Sequence, residues 1–273
     1  MSRLRALAPM LLALVACDHG PAPAAIGLTC AMLDEAPTLV DLDLRFANAD
    51  EAREYLEHGS SETPREHLIV ATDGPSIATL PLEVRGDLTY CVSDELGASR
   101  DAVIAATERA AAMWSSVADV RFRFVTPPRC AERGVDAHLV IIPECGASRV
   151  VANAMLPWRS GRRGQELAIN VCYWDHDAVV ASDDALTRTL LHELGHVLGL
   201  VHAWNTADYV GACECASSTS FLALAPYDPA SIMNYPDCGA TWSLFDPPAL
   251  SDADRAGIEE LYCAPGAGPP PCP

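Results

Sequence analysis

No lysine occurs in the 273 residues; the 18 basic side chains are all arginine, against 37 Asp and Glu, for a formal net charge of −19. Nucleic-acid binding is driven by neutralising phosphates, so this excess of acid excludes that class of partner. The acidity favours solubility and carries no information on fold. The apolar run near the start, Leu7 to Val15, falls well short of the roughly 20 residues that a spanning helix needs. There is no CxxC pair, so a zinc–cysteine site lacks its usual spacing, and Cys213-Glu214-Cys215 alone is weak support for one. No internal repeat is visible. What is present is 50% hydrophobic and 20% charged, which excludes wholesale disorder and low-complexity or collagen-like chains. The length suits one medium domain with a real core plus a smaller segment.

Arg3 and Arg5 precede the apolar run, which ends in Leu14-Val15-Ala16-Cys17. A basic start, a short apolar stretch and small residues before a cysteine resemble a bacterial lipoprotein signal. Residues 1–16 would be removed and Cys17 lipidated. The chain is then expected to be exported and held by its lipid in the bacterial envelope or at the cell surface; an ordinary secretory signal, giving a secreted protein, is the alternative. Setting Cys17 aside from the 11 cysteines leaves an even number, enough for five disulfides in an oxidising compartment. Their pairing is not readable from sequence.

Residues 17–86 read as a linker, Pro/Ala-rich at Pro21 to Ala25, followed by a propeptide-like segment in which Leu39 to Phe46 alternates in part and Leu68 to Thr72 is strand-like. Residues 87–264 carry the sharper pattern, and the Pro/Gly-rich tail is 265–273. Leu88 to Val92 reads as a strand. Ser99 is the expected N-cap of a helix with Val103, Ala106, Ala110, Met113, Trp114 and Val117 at helical spacing. Strands are expected at Val120 to Val125, Ala137 to Ile142, Val150 to Leu156 and Leu167 to Val171, and a second helix from Ser182.

That second helix holds the chemistry. Ser182 caps it, and Asp183 and Asp184 suit the positive end of its dipole. Leu186, Leu190 and Leu194 mark its buried face. His192 and His196 share another face, offset about 200° from the leucines, so the two imidazoles look into a cleft. Imidazoles one turn apart can hold one zinc ion. On a continued helix His202 would lie about 9 Å further along the axis, out of reach. The helix must stop first, and Gly199 is the residue able to turn the chain in a left-handed conformation. Three protein ligands with one position open is the pattern of a catalytic zinc, not a structural one. Glu193, beside His192, can take the proton of a zinc-bound water and pass it to the leaving amine.

These residues resemble the metzincin zinc endopeptidases, whose signature is HExxHxxGxxH followed by a Met-turn. Tyr227-Asp228-Pro229-Ala230-Ser231-Ile232-Met233-Asn234-Tyr235 is similar to the astacin-type Met-turn. The resemblance implies that Met233 gives the ion an apolar floor and that Tyr235 ligates zinc at rest or stabilises the oxyanion. It also implies an α+β metzincin-like fold: a twisted mixed sheet, the active-site helix, the Met-turn and a C-terminal helix. That last helix would be capped by Ser251, with Ile258, Leu261 and Tyr262 as its packing face. In the family a sheet edge pairs with substrate backbone; here that strand is Val150 to Leu156, with Asn153 and Ala154.

The sequence departs from the known branches after His202, where Ala203-Trp204 replaces the glutamate–arginine run of astacins. No matrixin cysteine switch is evident. Gly86-Asp87 has a faint likeness to the aspartate switch of astacin propeptides, but reads better as a turn before a strand. The expected function is hydrolysis of peptide bonds in a protein or peptide substrate with one catalytic Zn2+ ion; no structural Ca2+ is indicated. The alternatives are a non-proteolytic zinc-binding surface lipoprotein and a zinc hydrolase acting on a small molecule.

Overall fold

The computed structural model describes residues 31–32, 38–40, 43–46, 69–73, 76–77, 79–127, 130, 137–145, 150–157, 165–176, 182–205, 221–224, 226–243 and 246–266. Cys17, the arginines 159, 162 and 163, Cys213, Cys215 and the tail beyond residue 266 lie outside them.

The main sheet has eight strands: β1 (Ala31–Met32), β2 (Thr38–Val40), β3 (Leu44–Phe46), β6 (Leu88–Val92), β7 (Phe122–Phe124), β8 (Leu139–Glu144), β9 (Ala152–Met155) and β10 (Gln165–Asn170). Their order is β1-β2-β3-β9-β10-β8-β6-β7. It is a mixed sheet. The block β10, β8, β6, β7 is parallel, β9 runs antiparallel to β10, and β3 runs parallel to β9. A smaller sheet, β11-β4-β5, joins β4 (Ile69–Asp73), β5 (Ser76–Ile77) and β11 (Phe221–Ala223). All five residues of β6 are buried, as expected of a continuous apolar strand covered on both faces.

Among the described residues, five helices accompany the sheets: α1 (Leu82–Arg85), α2 (Arg100–Ser115), α3 (Val171–His176), α4 (Asp183–Val197) and α5 (Asp252–Tyr262). The buried stripe of α2 is Val103, Ala106, Thr107, Ala110, Ala111 and Trp114. Its small residues let α4 pack closely, and Trp114 Nε1 donates to Leu191 O at 2.9 Å. Ser99 does not cap α2. Its backbone is already helical, because a 3-10 stretch (Asp94–Ser99) leads straight into the helix. The cap falls on Ser93, whose Oγ accepts from Glu95 N at 3.2 Å, and Gly97 at φ 55° takes the kink.

Helix α5 begins as expected. Ser251 Oγ accepts from Asp254 N, and Asp254 returns the bond to Ser251 N, a capping box. Ile258, Leu261 and Tyr262 are buried. The Tyr262 hydroxyl donates to Leu198 O (2.7 Å) and accepts from Leu80 N (3.0 Å), tying α5 to the end of α4 and to the chain ahead of α1. Disulfides join Cys91 to Cys130 and Cys145 to Cys172; Cys238 and Cys263 are disulfide-bonded too.

Candidate metal centre

Helix α4 starts where its cap predicts: Ser182 Oγ accepts from Ala185 N at 3.1 Å, with Asp183 and Asp184 in the first turn. Leu190 and Leu194 are fully buried in the core. The helix ends at Val197, and Gly199 adopts φ 96°. That left-handed residue lets Leu200 N fold back onto Gly195 O at 2.9 Å, so the chain reverses and returns with His202.

The three imidazoles converge. His192 Nδ1 donates to Ile232 O at 2.7 Å, and His196 Nδ1 to Leu200 O at 2.8 Å. A carbonyl only accepts, so each Nδ1 carries the proton and each Nε2 presents a bare lone pair. These two Nε2 atoms lie 3.1 Å apart. The Asp43 carboxylate faces the same point, at 3.3 Å from the Nε2 of His192, 3.3 Å from that of His196 and 2.8 Å from that of His202. All four ligand atoms lie within 4.8 Å of one another, and all four residues are buried. Electron-rich atoms crowded in this way repel unless a cation lies among them. Two donors at zinc bond length in tetrahedral geometry sit about 3.3 Å apart, close to the spacing seen. The residues therefore fit zinc, and the backbone carbonyls behind the rings fix their tautomers.

Charge follows the same logic. Burial pushes the His196 imidazole down to about 4, against the opposing pull of Asp43, so the ring stays neutral and able to ligate. Burial alone would raise the Asp43 carboxyl, but the facing His202, His196 and His192 outweigh it and hold the group well below the carboxylate range. Glu193 is pushed well above its ordinary value, first by burial and then by the charge of Asp43.

Other residues frame the centre. The Tyr235 hydroxyl donates to Asp43 Oδ2, and its ring stacks on His192 with centroids 4.9 Å apart. Trp204 lies flat against His202, at 4.0 Å and 12°. Met233 is buried below α4. A Cβ on Gly195 would collide with Met233 Sδ, so that position has to be glycine for the turn to close underneath. Asp254 anchors the turn from α5: it accepts from Ser231 Oγ (2.6 Å), Ile232 N (2.8 Å) and Ser251 N (2.9 Å).

The structure thus brings His192, His196, His202, Glu193, Gly199, Met233 and Tyr235 to one place. Asp87 lies, as expected, in the turn before β6, where its carboxylate accepts an Nε (2.6 Å) and an Nη2 (2.7 Å) hydrogen bond from exposed Arg123. One expectation needs correction. Asn153 and Ala154 do lie on β9, but that strand is no open edge. β3 pairs with it in the register Leu44↔Ala154 and Arg45↔Met155, and Ala154 N donates to Asp43 O at 3.0 Å. The residue missed by sequence reasoning is Asp43. Its one signal is an acid set inside the partly alternating stretch Leu39 to Phe46.

Residues 83–212 match the sequence model of the matrixin family. Among solved structures, myroilysin is 20% identical over 71% of this chain and 98% of its own, with a TM-score of 0.46. High choriolytic enzyme 1, a hatching enzyme zinc-protease from the medaka fish Oryzias latipes, is 20% identical over 68% and 93%, with a TM-score of 0.40. Likeness at that level carries no weight for activity. The matrixin match spans β6, α2, α4 and His202, so the stretch similar to that family is the one that supplies every histidine of a donor set fitted to zinc.

Proposed function

We propose that the chain is a zinc-dependent endopeptidase held latent by its own N-terminal segment, with Glu193 as general base. The observation that carries this is the Asp43 carboxylate, which lies against the Nε2 atoms of His192, His196 and His202 while β3 fills the edge of β9. A substrate needs both places, the centre for its carbonyl and the strand edge for its backbone. His192, His196 and His202 are the resident ligands. Zinc held by them supplies a Lewis acid that polarises a carbonyl and acidifies water. Glu193 takes the proton from the attacking water and delivers it to the departing amine; its buried, upshifted carboxyl suits a group that must hold a proton and release it. Tyr235 now spends its hydroxyl proton on Asp43. With Asp43 withdrawn, that donor is available to the oxyanion. Export through the N-terminal signal and anchorage at a lipidated Cys17 complete the proposal, and the ten remaining cysteines suit an oxidising location.

The test is cleavage of a denatured protein by the zinc-loaded full chain and by its Asp43→Ala variant. The variant is expected to cut at least tenfold faster, and a chelator is expected to stop it reversibly. If neither protein shows chelator-sensitive cleavage, the chain is a zinc-binding protein without peptidase activity.

A further inference from the structure

Two residues beyond Asp43, the side chain of Arg45 crosses β9 and is 7% exposed. Its Nη1 donates to Glu144 Oε2 (2.9 Å) and Asn153 Oδ1 (3.0 Å), and its Nε donates to Glu166 Oε2 (3.1 Å). Asn153 Nδ2 donates to Glu144 Oε2 at 3.2 Å, which holds the amide in place. Glu144, Asn153 and Glu166 come from β8, β9 and β10, three neighbouring strands of the main sheet. The pocket is therefore part of the rigid sheet, whereas its occupant belongs to β3, the strand that must leave for a substrate to enter.

Once β3 leaves, two carboxylates and an amide oxygen remain at the strand edge, spaced for a planar guanidinium. Leaving the two acids side by side without a cation is unfavourable. A peptide added to β9 in place of β3 presents alternate side chains to the same face of the sheet. Resting on the reading above, we infer that Glu144, Glu166 and Asn153 form a specificity pocket selecting substrates with arginine about two residues from the cut bond. Arginine satisfies the three acceptors through its fork of donors; lysine offers one compact charge and fits less well. The net charge of −19 would favour encounter with basic peptides in the same sense.

The test uses the zinc-loaded full chain carrying Asp43→Ala and Arg45→Ala, which removes the two side-chain tethers of β3 described above and leaves only its backbone pairing to β9. A peptide library is digested and its cut sites are read by mass spectrometry. Arginine is expected over glutamine by about tenfold to a hundredfold at one position near the cut. Adding Glu144→Gln and Glu166→Gln is expected to bring that ratio close to one. In parallel, fluorescence anisotropy measures binding of an arginine peptide and its glutamine counterpart to the same chain with Glu193→Gln, and the same preference is expected there. Cleavage without preference for arginine, or a ratio that the two glutamines leave unchanged, would overturn the pocket and leave the peptidase standing. No cleavage of any peptide, with the binding preference intact and lost in the two-glutamine variant, would overturn the peptidase and keep the pocket.

Discussion

At the residue scale, the proposed roles separate Glu193, as base, from the three histidines, as ligands. His192 and His196 are held by backbone carbonyls, with their Nε2 atoms turned toward His202 and Asp43. Glu193 sits beside them without being among the converging donor atoms. Glu193→Gln is therefore expected to keep one zinc per chain by metal analysis while kcat falls by about 10²–10⁴. Zinc loss on that substitution would make the carboxylate a ligand, and unchanged kcat would remove it as the base. The two aspartates weighed for latency separate in the same way. Asp87 pairs with Arg123 in an exposed turn, and its carboxyl is lowered chiefly by that hydrogen bond. Asp87→Asn is expected to leave basal cleavage by the full chain within about twofold, against the large rise expected for Asp43→Ala. A comparable rise in both would place the control outside the metal centre.

Among elements, the sequence was most legible where the relevant contacts are local. Ser182, the leucine stripe, the two histidines one turn apart and the Gly199 turn all act within one helix and its exit, so spacing alone locates them. The Ser251 capping box is equally local. Ser99 misled because a good capping residue is used only where the backbone is not yet helical, and the 3-10 stretch had already begun the helix. Asp43 was out of reach for a different reason. Its partners are brought to it by the addition of β3 to β9, and Tyr235 lies 192 residues away. No periodicity announces which strand will fill an edge.

Helix α5 has an effect on the Met-turn that follows from Asp254. That carboxylate is fully buried and accepts from Ser231 Oγ, Ile232 N and Ser251 N at once. Removing it orphans buried donors, each at about 1–3 kcal/mol. Asp254→Ala is expected to cost about 3 kcal/mol and to lower Tm by roughly 10 °C in a thermal melt. A shift under about 2 °C would mean the turn stands without this anchor.

For the whole molecule, the proposed lipid at Cys17 sets where the enzyme works. Cys17→Ser is expected to move the protein from the membrane pellet to the soluble fraction after cell breakage. An unchanged pellet fraction would remove the anchor. The two described disulfides pin β6 and the chain after β8, both inside the domain and not between it and β3.

The covalent connection of β3 to the metal centre has a kinetic meaning. A plug on the same polypeptide is presented to its socket at an effective concentration on the order of millimolar, so it can be intrinsically weak and still keep the socket filled. A single nick between Phe46 and β6 ends that advantage. A fragment with no disulfide to the rest of the chain would then compete only at its bulk level and dilute away.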